Sequence, residues 1–194
     1  MAAPTHLYFT EDDEANRLLA ADPFAFLVGF ALDQQITVQQ AFTGPLRIKQ
    51  RLGTLDPKTL ATTDLEGVFK EKPAVHRFPG SMARRVQELA ATIVEEYDGD
   101  AARIWTEARD GADLRARLAA LPGFGDMKVR SVTAVLAKRF GVVTAQEIAP
   151  THHTLGDVDS PQALQDYQAA KRAFKVSQRE KAQKASSTPG GVGA

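Results

Sequence analysis

The sequence predicts an all-α protein, and three observations carry that reading. Alanine is abundant and β-branched runs are few, a balance that favours helix over strand. Apolar residues recur at helical spacing, most clearly in Met82, Val86, Leu89, Ala90, Ile93, Val94 and Tyr97, which keep one buried stripe on a 3.6-residue period. Acid–proline and serine–proline pairs (Asp22-Pro23, Asp56-Pro57, Ser160-Pro161) read as N-cap and first-turn signals.

Taken in order, Leu7, Tyr8 and Phe9 form a short apolar stretch that can pack as an extended arm. Residues 11–21 read as a helix with an acidic first turn, as its dipole prefers. After Asp22-Pro23, Phe24 to Leu32 are apolar almost all round, the pattern of a fully buried helix. A Gln- and Ala-rich helix is expected from Val38 to Leu52. Asp56-Pro57 starts a short helix, and Thr63 with Glu66 fits a capping box for the next. Residues 70–80 form a basic loop, in which His76 alone is no sign of catalysis. Residues 81–97 give the clearest helix, ended by Gly99. A short helix at 101–108 places Trp105 in the core. Asp113 is the expected N-cap of a helix carrying Leu114 and Leu118, and Asp126 to Phe140 reads as another, closed by Gly141. Residues 142–159 are a long connection. The last helix carries Leu164, Tyr167, Ala170 and Phe174. From Lys171 to Lys184 it has six basic residues and one acidic residue, Glu180. Residues 186–194 are Ser/Gly-rich and expected to be disordered.

Composition narrows the function classes. With 194 residues, 43% apolar and 25% charged, the chain has the makings of a compact core. It contains no cysteine, which excludes disulfides, a cysteine-ligated zinc and a cysteine-ligated iron–sulfur cluster. No segment is apolar for long enough to span a bilayer. The acidic start, Glu11 to Glu14, is unlike the basic start of a signal peptide, so a cytoplasmic location is expected. The 24 basic and 24 acidic residues balance. That argues against an indiscriminate nucleic-acid binder and leaves room for a local basic face.

The stretch with most chemical content is Leu121-Pro122-Gly123-Phe124-Gly125, followed by Asp126, Met127 and Lys128. Two glycines two apart permit a tight turn and close approach by another molecule. The following helix N-terminus presents backbone N–H groups and positive dipole, which suit a phosphate; the alternative is an ordinary turn between core helices. Gln34 and Gln35 stand where the buried helix ends. Glutamine both donates and accepts, so it can fill the gap left by an extruded base or cap a helix terminus.

Three segments together resemble the helix-hairpin-helix (HhH-GPD) superfamily of base-excision DNA glycosylases. Phe30-Ala31-Leu32-Asp33-Gln34-Gln35-Ile36-Thr37 is similar to the I-x-x-Q-Q-I-S segment of its alkyladenine-type members. Pro79-Gly80-Ser81-Met82-Ala83-Arg84-Arg85, running on to Tyr97-Asp98-Gly99-Asp100, resembles the helix before the hairpin. Leu121 to Gly125 with Lys128 resembles the hairpin itself. The resemblance implies an all-α, two-lobed fold over residues 1–185, with lobe one at 1–35 and 142–185 and lobe two at 36–141. It implies a monofunctional glycosylase that hydrolyses the N-glycosidic bond of a flipped damaged or mispaired base; the alternative is a non-catalytic DNA-binding or lesion-sensing module of the same fold. The implied partner is lesion-containing double-stranded DNA, bound by a monomer associated with the nucleoid.

The resemblance also implies residue roles. Gln34 and Gln35 belong near the gap in the duplex, and Gly123, Phe124, Gly125 and Lys128 at the DNA backbone. Lys128 lies one residue later than the usual lyase lysine, about 100° around a helix, so lyase activity is left open. The family's catalytic aspartate follows the hairpin's second helix. Asp157 is the first candidate here, Asp159 the second, and Glu147 a substitute closer to the usual spacing. No cofactor and no metal ligand set are expected, beyond room for a structural monovalent cation on the hairpin's backbone carbonyls.

Overall fold

The computed structural model describes residues 4–186. Among these residues it contains eleven α-helices, one 3-10 turn and no strand, as the composition predicts. The expected disordered tail lies outside the described residues apart from Ser186, which ends the last helix.

The amino-terminal arm is packed rather than loose. Leu7 and Phe9 are fully buried, and the buried Asn16 side chain holds the arm from inside. Its Oδ1 accepts the N–H groups of Phe9 and Thr10 (both 3.1 Å), and its Nδ2 donates to the Thr10 carbonyl at 3.0 Å. Asn16 sits on α1 (Asp13–Ala21), capped by Asp12. Asp22 then accepts from Phe24 N and Ala25 N, and Pro23 opens α2 (Pro23–Leu32). Every residue from Phe24 to Leu32 is buried, so the all-round apolar pattern marks the centre of the core. No single described helix is long and apolar enough to cross a membrane.

Helix α3 (Val38–Leu52) packs tightly on α2. Gly29 of α2 is covered by the Phe42 ring, and Gly44 of α3 by Leu32, so each helix offers a glycine to a large side chain of the other. Phe9, Phe30 and Phe42 meet edge to face at 4.9 Å between centroids. Helices α4 (Pro57–Thr62) and α5 (Glu66–Lys70) lie against the long α6 (Pro79–Tyr97). The predicted Thr63–Glu66 capping box is not formed. Asp64 accepts the Glu66 N–H instead, and the Thr63 hydroxyl donates back to Thr59 O in the preceding turn.

The second half is built on the hairpin pair. A short α7 (Arg103–Thr106) buries Trp105 against Phe26. Helix α8 (Gly111–Ala119) is capped by Asp110, not by Asp113. Asp113 lies one turn in, where the N–H and guanidinium of Arg109 hold its carboxyl down at about 2. Helix α9 (Asp126–Lys138) ends two residues before the expected Phe140. The long connection has structure of its own: α10 (Val143–Gln146), then a 3-10 turn at Leu155–Asp157 lying on α9. Ser160 caps α11 (Pro161–Ser186) through Ala163 N, as the Ser-Pro signal predicts. Its apolar stripe is buried only at the start: Leu164 is buried, whereas Phe174 is 63% exposed.

Candidate active-site cleft

The hairpin between α8 and α9 is anchored by its large residues and exposed at its small ones. Leu121 and Phe124 are buried, and the Phe124 N–H closes the turn on the Leu121 carbonyl at 3.1 Å. Gly123 and Gly125 are exposed. Gly123 has φ +78°, and the space a Cβ would need is filled by the Arg85 guanidinium of α6; this position requires glycine. Gly125 is different. Its φ of −75° suits any residue, and a Cβ there would meet nothing within 4 Å. It is the N-cap of α9, yet no side chain caps that helix. The first-turn N–H groups therefore face outward without a side-chain acceptor, as an anion site needs.

Beside the hairpin lies a cleft of about 680 Å³. Its walls come from the α2–α3 corner (Phe30, Asp33 to Thr37, Gln40), the basic loop (Arg77), the first half of α9 (Met127, Lys128, Ser131) and α11 (Lys171). The corner is built by local chemistry. The Asp33 N–H donates to Gly29 O and Phe30 O as α2 ends, and Gln34 N–H turns back to Leu32 O at 2.7 Å. Gln35 then takes φ +56°, a left-handed conformation that non-glycine residues hold only when surroundings impose it.

His76 supplies part of that restraint. It is fully buried, its Nδ1 accepts the Phe78 N–H and its Nε2 donates to the Gln34 carbonyl, both at 3.0 Å. These bonds fit the neutral ring with the proton on Nε2. Burial pushes its pKa below 6.5. The histidine is a strut under the glutamine corner, a role the sequence does not reveal. Of the two glutamines, Gln34 is half-buried with its Nε2 3.7 Å from Met82 Sδ, whereas Gln35 is exposed at the mouth of the cleft.

Lys128 points into the cleft and reaches α2. Its Nζ donates to the Ala31 carbonyl at 2.9 Å and lies 5.8 Å from the centre of the Phe124 ring. Burial lowers its pKa from 10.5 to about 8; the Asp33 charge opposes that shift and Arg85 adds to it. The position one residue earlier, where the family resemblance puts the lyase lysine, is Met127, which is 74% exposed on the cleft's edge.

The carboxylates singled out from the sequence stand elsewhere. Asp157 accepts two bonds from Lys138 Nζ (2.9 and 2.8 Å), one from Thr154 N–H (2.7 Å) and one from the Thr154 hydroxyl (3.0 Å). Burial raises its pKa, but these bonds outweigh burial and hold it below 3.8. It fastens the 3-10 turn to α9, with Gly156 packed on the Ala134 carbonyl. Glu147 accepts the Gly111 N–H at 2.6 Å and so ties α10 to the start of α8. Asp159 is exposed, and the cap it precedes is made by Ser160. Among the described residues, none of the three lines the cleft, and the acidic residue that does is Asp33. In the sequence Asp33 stands inside the Phe30 to Thr37 segment with no role assigned by the resemblance. Its one local signal was its place at the end of a fully apolar helix. Among the described residues, no three His, Asp or Glu side chains are grouped to hold a metal.

Comparison with known proteins agrees with the ordered motifs. The family model described as HhH-GPD superfamily base excision DNA repair protein matches residues 28–186. No curated protein and no solved structure matches the chain.

Proposed function

The chain belongs to the HhH-GPD superfamily of base-excision DNA repair proteins, and from that premise we propose that it is a monofunctional DNA glycosylase. The observation that carries this reading is the adjacency of two features. An uncapped, exposed hairpin suits a phosphate, and from the first turn of the helix that follows Lys128 enters a cleft of about 680 Å³ beside it.

The chemistry follows from the substrate. A glycosidic bond inside a duplex is out of reach, so the nucleotide leaves the stack and enters the cleft. Exposed Gln35, held in its turn by His76, fills the space it vacates. Gly125, open where a side chain would stand, lets the strand approach the α9 amides, and Gly123 makes room for the Arg85 guanidinium beside it. The C1′–N bond breaks with its electron pair leaving on the base nitrogen. Water adds its oxygen to C1′, and the proton it loses ends on the released base. Positive charge builds on the sugar between these steps, and fixed negative groups around it lower the barrier.

The cleft draws on both proposed lobes: Phe30 to Gln35 and Lys171 come from lobe one, Ile36 to Ser131 from lobe two. The division at 35/36 and 141/142 thus assigns the cleft to the seam. We place the protein on double-stranded DNA in the cytoplasm, as a monomer.

Purified protein is expected to release a free base from at least one duplex in a panel carrying uracil, alkylated, oxidised and mismatched bases. Tight, lesion-selective binding without release from any of them would favour a second reading, a lesion-sensing module. That reading is supported by Asp157 and Glu147, the acids nearest the family's catalytic position, because both are spent on internal hydrogen bonds.

A further inference from the structure

We infer that Asp33, at the carboxyl end of α2, is the group that stabilises the positive sugar in this cleft, in place of an acid from the connection after α9. The inference rests on the glycosylase reading and assigns its central charge.

Three placements support it. Asp33 is half-buried and is the acidic residue among those that form the cleft wall. It follows directly on α2, whose last carbonyls converge there, and a helix carboxyl end carries partial negative charge. A cation forming in the cleft would meet the carboxylate, while the Ala31 carbonyl at the helix end is taken by the Lys128 amine. The third placement is the link to the hairpin. Lys128 lies in the first turn of α9, three residues after Gly125, and its amine is bonded to the Ala31 carbonyl at 2.9 Å. One lysine side chain therefore spans from the phosphate-binding end of α9 to the end of α2, and sets Asp33 close to a nucleotide held by the hairpin. The Asp33 charge acts on Lys128 of α9, which lines the same cleft, and on Tyr167 of α11.

The test needs no knowledge of the lesion. Three duplexes are compared by fluorescence anisotropy: undamaged, one with a neutral tetrahydrofuran abasic site, and one with a pyrrolidine abasic site whose ring nitrogen is cationic and resembles the reacting sugar. The wild type is expected to bind the pyrrolidine duplex at least about tenfold tighter than the tetrahydrofuran duplex, as a site complementary to the transition state does. Asp33→Asn should abolish that preference while leaving tetrahydrofuran binding within about twofold. Asp33→Ser is the second variant, and circular dichroism checks that both are folded. Preference retained in both variants, or lost instead in Asp157→Asn, overturns the assignment to Asp33. Equal wild-type affinity for the two abasic duplexes overturns it while leaving lesion binding intact. Equal affinity for all three duplexes overturns the glycosylase reading itself, and Asp33 with it.

Discussion

Gly125→Ser separates what the hairpin needs for folding from what it needs for a ligand. At φ −75° and ψ 173°, with open space where a Cβ would stand, serine fits without strain. Removing glycine's freedom in the unfolded chain stabilises by roughly 0.4–1 kcal/mol at a compatible site. A serine hydroxyl at an N-cap adds a few tenths of a kcal/mol over glycine, by accepting a first-turn N–H. The variant should therefore gain about 1 kcal/mol, which raises Tm by roughly 2–4 °C for a domain of this size. The same hydroxyl, however, occupies an N–H of Met127 or Lys128 that a phosphate would otherwise take. Losing one hydrogen bond to a charged group costs roughly 1.5–3 kcal/mol, so duplex affinity should fall tenfold or more, about 1.4 kcal/mol per decade. Because the donor lost is a neutral amide, the slope of affinity against salt should not change. Thermal unfolding and a salt series of anisotropy titrations measure all three quantities. A more stable variant that binds as tightly as the wild type would refute phosphate binding by the hairpin. A less stable one would refute the reading of Gly125 as a strain-free, uncapped N-cap.

Two further outcomes follow from groups outside the hairpin. Because burial holds His76 below its usual 6.5, the unfolded chain binds the proton more readily; the stability this group supports is complete above pH 6.5 and should decline as pH falls below it. His76→Leu, which strands the Gln34 carbonyl and the Phe78 N–H, should cost roughly 2 kcal/mol or more and abolish the pH 6.5 component of an unfolding profile; an unchanged profile would show that the strut is not neutral His76. Asp157→Asn should cost about 1–2 kcal/mol in urea unfolding, since both partners of the Lys138 pair are less than a third exposed. With its pKa held below 3.8, that pair supports stability above this pH and loses it as pH falls through the folded value. Base release by Asp157→Asn at the wild-type rate would mark the residue as structural; lost turnover with unchanged stability would mark it as chemical.

What the sequence discloses here is mostly what lies within a few residues. Asp22-Pro23 and Ser160-Pro161 cap as they read, because capping is a contact between neighbours. The α6 stripe is buried as its period requires. The order of the three motifs was enough for the family, which the match over residues 28–186 bears out. Even at short range, competing side chains changed the detail: Asp110 displaced Asp113 as a cap, and Asp64 displaced Thr63. Both pairs offer similar oxygens within three residues of each other, so sequence alone does not rank them.

The cleft is harder to read because its decisive contacts join distant positions. Lys128 meets Ala31 across 97 residues, and His76 meets Gln34 across 42. Spacing from the hairpin points to Glu147, and position just before the Ser160-Pro161 helix start points to Asp157 and Asp159, since both patterns are read along the chain. Counting cannot see that Gly156 lets the connection lie flat on α9, which turns Asp157 toward Lys138. Nor can it see that a lysine displaced by one position gains a new target. About 100° around the helix, Lys128 leaves the place where a lyase lysine would stand and reaches the end of α2, while Met127 takes the exposed edge. Those two departures have a common consequence: the acid after α9 is engaged elsewhere, and the lysine's new contact brings the hairpin next to Asp33.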